Sequence, residues 1–495
     1  MQELAFQITE EENVLQEWEK YEGNVHCGYT ERVWSGKEMK QMSFDVAKQL
    51  SEMGIQKGEN VAVLLSNTVA YPVVLTALLY LKCNPLLLHV STPKVEMEKI
   101  SKNVPFSHFI HDFVSVTSKL DKEESNIKWN YQMGKLEVSL GVLESTSDAK
   151  GLELEGVILH LTSGTSGPSR ICLRNQRVAI AEAVNYVSVV DVFNRANVMI
   201  TTPMNHAFAY GFGLMAAIIT NSNMFLEISF NPRKLFKEMA NEKIDILLLV
   251  PPMAKLLVKL KREFKEGTMP KYVFYAGSPC SKDLKESFEE VFDTNLYAIL
   301  GSTETGAIAT TFTHDKPYIG VGRILNNVEV KIDNCSAYTA IGENIGDVLV
   351  KASSMMQGYY DEYTGEEIEY HAIGDIGYFD DESLVLTGRA KDIINVSGMK
   401  VDPLEVEEVL REHPEIEDVV VYSGLTKDKE EKVCAAYFSS NGKIDTEELR
   451  TFCKTRLAAY KMPRTFHYME IPRTPSGKCP KRLLPEYNDS NSIGK

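Results

Sequence analysis

Ser and Thr hydroxyls, two glycines and a proline stand directly behind an apolar run in LTSGTSGPSR, Leu161 to Arg170, and the stretch closes on a guanidinium. Backbone N–H groups of such a loop can point into one concavity and hold phosphate oxygens, with Arg170 adding positive charge. The same composition also makes an ordinary surface turn, so the stretch alone leaves both readings open. Two further glycine-bearing stretches follow apolar runs: AGSPC, with Gly277, Ser278 and Pro279, and GSTETG, Gly301 to Gly306. Glu304 in the second offers the carboxylate oxygen that a hard cation bridging phosphates takes, although TE by itself is equally a solvated loop. Sharper motifs are excluded. No Gly-Lys pair has the upstream glycine and following Ser/Thr of a Walker A loop, and Ser166 is followed directly by Gly167, so there is no G-x-S-x-G elbow.

The elements that must position these stretches alternate helix and strand. Met42, Val46, Leu50 and Met53 recur at helical spacing, and Asn60 to Leu65 follows as a strand. Further strands are expected at Val157 to Leu161, Val198 to Thr201, Ile244 to Val250, Tyr272 to Tyr275 and Leu296 to Leu300, several of them continuous apolar runs of the kind buried on both faces of a parallel sheet. The three glycine-bearing stretches thus fall at strand C-terminal ends, where open α/β sheets bind ligands, and are expected to converge on one site. After about residue 388 the texture changes to a small α+β module: a helix from Pro403 to Arg411, strands at Asp418 to Tyr422 and Val433 to Phe438, and a helix at Thr446 to Ala459. The expected fold class is α/β, with a large N-terminal domain of layered sheets and helices over residues 1–388. A small mobile α+β C-terminal domain is expected over residues 389–495, joined by a short hinge in TGRAKD.

Size and charge bound the function. The 495 residues exceed what one core usually supports, and 53 Lys and Arg against 69 Asp and Glu give a net charge of −16. That balance argues against nucleic acid as a main partner and against a broad anionic-membrane surface. The eight cysteines are scattered without a C-x-x-C pair, which indicates neither a zinc site nor a disulfide framework and fits a reducing cytoplasm. The acidic N-terminus lacks a secretory signal. Tyr71 to Leu81 is the most apolar window, and Lys82 cuts it to half of what a bilayer needs, so a buried helix is expected there and no stable membrane insertion.

Taken as an ordered series from about residue 40 to 485, the motifs resemble those of the acyl-adenylate-forming (AMP-binding) superfamily: acyl- and aryl-CoA synthetases, stand-alone adenylation enzymes and luciferase-like ligases. Thr162, Ser163, Gly164, Thr165, Ser166 and Gly167 match the family's phosphate-binding loop, with Arg170 as its cation. PMNHAFAYGFG looks like the segment whose histidine, here His206, closes one side of an acyl pocket shared with Phe208, Tyr210, Phe212 and Gly301. GSTET resembles the Y-G-x-T-E motif, which implies that Leu300, Gly301 and Ser302 flank the nucleotide beside Gly277, Ser278 and Pro279, that Thr303 holds the α-phosphate and that Glu304 binds Mg²⁺. IGDIGYF implies Asp375 on the ribose hydroxyls. TGRAKDIINVSGMKVDPLEVE implies Arg389 on ribose or phosphate and Lys391 as hinge residue, and RTPSGKCPKR implies Lys478 as the catalytic lysine.

The resemblance implies ATP-dependent activation of a carboxylic acid to acyl-AMP and pyrophosphate, then transfer to a thiol. It further implies that the small domain rotates between the steps, carrying Lys478 away and bringing the face around Ser397 to Lys400 to the cleft. With the chain closing shortly after Lys478, the thiol is expected in trans, as CoA or as the phosphopantetheine of a separate carrier protein. The segment His206 to Gly213 offers no Asp to pair an α-amine, which favours a small aryl or medium aliphatic acid. An enzyme adenylating an amino or hydroxy acid for a carrier protein, and a non-catalytic nucleotide-binding relative, share the same motifs. Departures from the family pattern are Ser169-Arg170-Ile171 where Pro-Lys-Gly is usual, and Leu300 where an aromatic residue stacks on adenine, with Tyr297 a conceivable substitute.

Overall fold

A computed structural model describes residues 13–28, 32–112, 129–133, 136–143, 151–162, 170–261, 269–314, 320–334, 344–396, 399–426, 430–474 and 479–487. Ser163, Gly164, Thr165, Ser166, Gly167, Ser397 and Lys478 lie outside them.

Two large sheets form the bulk of the chain. One has nine strands in the order Arg323–Ile324, Gly306–Thr310, Leu296–Ser302, Tyr272–Tyr275, Ile246–Leu249, Asn197–Ile200, Asn223–Leu226, Asn24–Cys27 and Arg32–Ser35. Its six middle members are parallel, as their uninterrupted apolar runs require. The other has eight strands and contains Asn60–Leu64, Asn84–Leu87, Val157–Leu161 and Ile171–Asn175. Helices lie between and against them. Ala70–Tyr80 has every residue but its last buried, which accounts for an apolar window that has no membrane to cross. Among the described residues no helix is long and apolar enough to span a bilayer.

In the nine-stranded sheet the chain order turns at Asn197–Ile200, which has Asn223–Leu226 on one side and Ile246–Leu249 on the other. The segment carrying His206 leaves the C-terminal end of that strand, the usual place for a ligand crevice in such sheets. The helical segment that follows is unusual: Ala209–Met215 is a seven-residue π-helical segment, a form concentrated at functional sites.

A four-stranded antiparallel sheet, Val328–Asn334, Gly346–Ala352, His371–Asp380 and Ser383–Arg389, was not expected as a separate layer. Beyond it, the helices Pro403–Arg411 and Thr446–Lys454 pack on a three-stranded sheet, Asp418–Leu425, Glu431–Phe438 and Thr465–Tyr468, around Val406, Leu410, Val421, Ala435 and Leu449. The second helix stops five residues short of the expected Ala459, and a short 3₁₀ turn at Ala459–Lys461 follows. Cys434, His467 and Glu486 offer ligand atoms within 4.8 Å of one another, a grouping invisible in the cysteine spacing. The Lys432 ammonium, 2.6 Å from Glu486, already balances that carboxylate.

Asp402 caps the helix Pro403–Arg411 by accepting from the Leu404 N–H at 2.9 Å, and it is buried. Burial, aided by Glu405, Glu407 and Glu408, pushes its carboxyl up to about 7. A group raised in the folded state contributes stability that is fully present below its unfolded value near 4 and is lost as pH rises through about 7. Asp402→Asn keeps a good capping oxygen without the charge. Its melting temperature is therefore expected to match the parent near pH 4 and to exceed it at pH 8, by the equivalent of about 4 kcal/mol. A difference that stays constant across that range in thermal unfolding would contradict this account.

Candidate active site

The strand Val157–Leu161 and its antiparallel partner Ile171–Asn175 carry the two ends of the opening stretch. The Thr162 N–H donates to the Arg170 carbonyl at 2.8 Å, and the Arg170 N–H donates to Thr162 Oγ1 at 2.8 Å, so the loop's ends are clamped shut. Ile171 lies in the ladder opposite Leu161, an extended position that suits a β-branched residue as well as the glycine usual there.

The Arg170 guanidinium is already engaged. Its Nη2 lies 3.0 Å from Asp361 Oδ1 and 2.7 Å from Glu362 Oε2, and the group sits 3.5 Å over the Tyr359 ring. These partly exposed pairs are weak individually, so they hold the side chain in place without committing it. Tyr359 in turn donates its hydroxyl to Glu304 Oε1 at 3.0 Å, and the Met356 N–H donates to the Glu304 carbonyl at 2.7 Å. Burial first, then the neighbouring Glu304, pushes the Tyr359 phenol far above its ordinary range, so it stays a donor. A carboxylate held this way on a turn is a fitting ligand for a hard divalent cation.

The Ser302–Gly306 turn is braced from within. Ser302 Oγ accepts from the Thr305 N–H at 3.1 Å, and Ser354 Oγ donates to the Thr305 carbonyl at 2.7 Å. What the sequence read as a loop is the end of the strand Leu296–Ser302, a three-residue turn and an antiparallel return, with an irregularity between Leu300 and Gly301. Leu300 faces Ile308 and its neighbours, whereas Tyr297 packs on Phe274 and Phe312 on the other face. Tyr297 therefore does not substitute for the missing aromatic beside Gly301. Gly277 turns with φ 90°, just past the parallel strand Tyr272–Tyr275, and brings Ser278 and Pro279 to the same sheet edge.

Asp375 and Arg389 are separate in the motif series but directly opposite in the ladder, with Arg389 Nε 2.9 Å from Asp375 Oδ1. His371, four residues before Asp375, meets the Tyr359 ring at 6.3 Å, which joins this sheet to the Glu304 side. Contacts thus run from Arg170 through Tyr359 to Glu304 and, by way of His371, to the strand that carries Asp375.

On the acid side, His206 lies 6.2 Å from the ring of His89, and Phe208 is partly buried. Tyr210 and Phe212 are fully buried: Tyr210 meets the His160 ring edge-on at 4.7 Å, and Phe212 packs among Phe208, Tyr186, Phe193 and Phe274.

Lys391 lies in the 3₁₀ turn Ala390–Asp392, and burial with neighbouring Arg389 pushes its ammonium down. Asp392 pairs with Lys481 at 2.8 Å, and Arg473 with Asp418 at 2.7 Å, so both flanks of the motif containing Lys478 are anchored to the small module. Tyr359, Arg174 and Glu182 were missed by sequence reasoning. An arginine in the strand ICLRN and a glutamate amid the apolar run VAIAEAV of the next helix were the signals.

Comparisons with known proteins bear on the family and the fold. The AMP-binding enzyme family matches residues 15–360, and the AMP-binding enzyme C-terminal domain matches residues 405–478. A 2-succinylbenzoate–CoA ligase from Bacillus cereus is 26% identical over 452 residues, covering 89% of this chain and 90% of the relative. The 4-coumarate–CoA ligase-like 9 of Oryza sativa is 26% identical over 471 residues, covering 88% and 84%. Among solved structures, o-succinylbenzoate CoA synthetase from Bacillus subtilis with its acyl-adenylate intermediate superposes with a TM-score of 0.78 at 21% identity, over 97% of this chain and 99% of that one. The amide bond synthetase McbA from Marinactinospora thermotolerans gives 0.76 at 22%, over 94% and 97%. With motif order, fold and both family domains in agreement, the chain belongs to the acyl-adenylate-forming superfamily of AMP-binding enzymes.

Proposed function

We propose that this chain is an AMP-forming acid–thiol ligase that activates a small aryl or medium aliphatic carboxylic acid and passes it to the thiol of CoA. The observation that supports the reading is the run of contacts from the clamped loop ends at Thr162 and Arg170 through Tyr359 to Glu304, with the Asp375–Arg389 pair on the strand that His371 joins to Tyr359. Loop ends and a carboxylate at strand C-terminal ends suit the phosphates of a nucleoside triphosphate. Glu304 would hold Mg²⁺, which supplies charge neutralisation on the phosphates.

The acid's carboxylate oxygen attacks the α-phosphorus, the bond to the β-phosphate oxygen breaks, and pyrophosphate leaves. Thr303 bonds the α-phosphate, Asp375 accepts the ribose hydroxyls, Arg389 pairs with nearby oxygens, and His206 walls the acid. Lys478 neutralises charge as it builds in the displacement. The thiolate sulfur then attacks the acyl carbon, AMP leaves, and the thiol proton passes to solvent. A turn at Lys391 would separate the two steps, with residues 1–388 and 389–495 as the moving bodies.

CoA is favoured over a carrier protein because the curated relatives at this similarity are named as CoA ligases. An α-amino acid is disfavoured because no Asp stands between His206 and Gly213 to pair its ammonium. Pyrophosphate exchange with Mg-ATP over a panel of aryl, fatty and amino acids, followed by CoA or a phosphopantetheinylated carrier, tests each part. Exchange with amino acids alone would overturn the substrate class. ATP binding without exchange for any acid would favour a non-catalytic relative.

A further inference from the structure

We propose that the buried Arg174–Glu182 ion pair is a positioning device for adenylation, setting the acid-side segment Ala209–Met215 against the Ser302–Gly306 turn. The proposal rests on the adenylation reading above and adds to it two residues outside the motif series.

Arg174 is the last residue but one of the strand that leads away from the phosphate-loop stretch, opposite Ile158 of the strand that enters it. Glu182 stands on the next helix, Gln176–Val187. Arg174 Nη2 lies 2.6 Å from Glu182 Oε2, with side-chain exposures of 0% and 1%. Arg174 Nε and Nη1 make no hydrogen bond to the protein, so the buried pair is incompletely satisfied. Apolar residues of similar volume would be at least as stabilising in such a place, so gain in stability does not account for it.

Its surroundings do. A Cβ on Gly211, in the middle of the π-helical segment, would stand 2.4 Å from Glu182 Cδ. A Cβ on Gly306, which turns with φ +71°, would stand 3.2 Å from Glu182 Cγ. The glutamate arm is therefore wedged between the segment that carries His206 and Phe208 and the turn that carries Thr303 and Glu304, with glycine at both contacts. Arg174 fixes the orientation of that arm. One helical turn on, the Asn185 amide is 3.3 Å from Ser354 Oγ, which holds the Thr305 carbonyl. The same helix thus braces the nucleotide turn at two points.

In-line attack depends on the acid and the α-phosphate being aligned with each other, and an error near 1 Å costs about 10²-fold in rate. A wedge touching both sides controls that mutual alignment while leaving the binding of each partner alone.

The test is the double variant Arg174→Met, Glu182→Met, assayed by thermal unfolding, calorimetric ATP binding and pyrophosphate exchange. Expected are cooperative unfolding at or above the parental temperature, ATP stoichiometry and Kd within about threefold of the parent, and exchange kcat lower by about 10- to 100-fold. Arg174→Lys, which keeps a cation on Glu182, is expected to retain most of the kcat. Should the double variant not fold, Gly211→Ala presses on the same carboxylate from the other side and is expected to lower kcat at unchanged ATP Kd. Parental kcat in the folded double variant, or in Gly211→Ala where that variant serves, overturns the proposal. A parent that exchanges with no acid overturns the adenylation reading instead.

Discussion

Lys478→Ala is expected to lower pyrophosphate exchange by about 10²- to 10³-fold, equivalent to about 3–4 kcal/mol of transition-state stabilisation. The basis is chemical: two anions, the acid's carboxylate and the α-phosphate, must approach, and negative charge accumulates on the phosphate oxygens as pyrophosphate departs. On the proposed reading an ammonium delivered from the small module would meet that charge at the moment it forms. Arg473 and Lys481, on either side of it in the sequence, are paired with Asp418 and Asp392. Thioester formation measured from preformed acyl-AMP and CoA is expected to stay within a few-fold of the parent, since on the same reading Lys478 would be carried out of the cleft for that step. Equal losses in both half-reactions would contradict the division of labour, and exchange within twofold of the parent would remove Lys478 from the chemistry.

How much of this was legible in the sequence depended on the range of the interaction that decides it. The parallel strands were readable because each is a continuous apolar run closed by a polar stretch, as at Ile246–Leu249 and Tyr272–Tyr275. The buried helix Ala70–Tyr80 was readable for the same local reason. The phosphate-loop stretch could be named from its glycines and hydroxyls, but not the clamp between Thr162 and Arg170, which depends on two strands meeting. Asp375 and Arg389 were named separately, and their pairing follows from a register that no local pattern sets. Tyr359 was missed because a tyrosine before a turn is common, and only the fold brings its hydroxyl to Glu304 from 55 residues away. Tyr297 was offered as a partner for adenine because it is near Leu300 in sequence. Strand alternation sends the two side chains to opposite faces.

Arg174→Met alone is expected to destabilise the large sheet domain by about 3–5 kcal/mol at neutral pH, far more than the loss of the side chain's packing, because it leaves a buried carboxylate without its cation. The sign of its pH dependence separates this cause from an ordinary packing defect. Burial pushes the Glu182 carboxyl up, and Arg174 at 2.6 Å pulls it back. Without the arginine only the upward push remains, and Glu182 escapes by taking a proton. A carboxyl raised in the folded state contributes stability that is complete below its unfolded value of about 4.3 and is lost as pH rises through the raised value. Glu182 is raised in the parent too, though less, so both proteins share the early loss; the deficit is therefore expected to widen once pH passes the parent's own Glu182 value, at about 1.4 kcal/mol per pH unit until Glu182 ionises in the variant. The double variant with Glu182→Met has no group to ionise there, so it lacks that loss and gains on the parent as pH rises. Urea unfolding of the three proteins at pH 5 and pH 8 decides the matter: a deficit in Arg174→Met equal at both pH values would mean that Glu182 finds another partner, and that the ion pair is not what the interior is organised around.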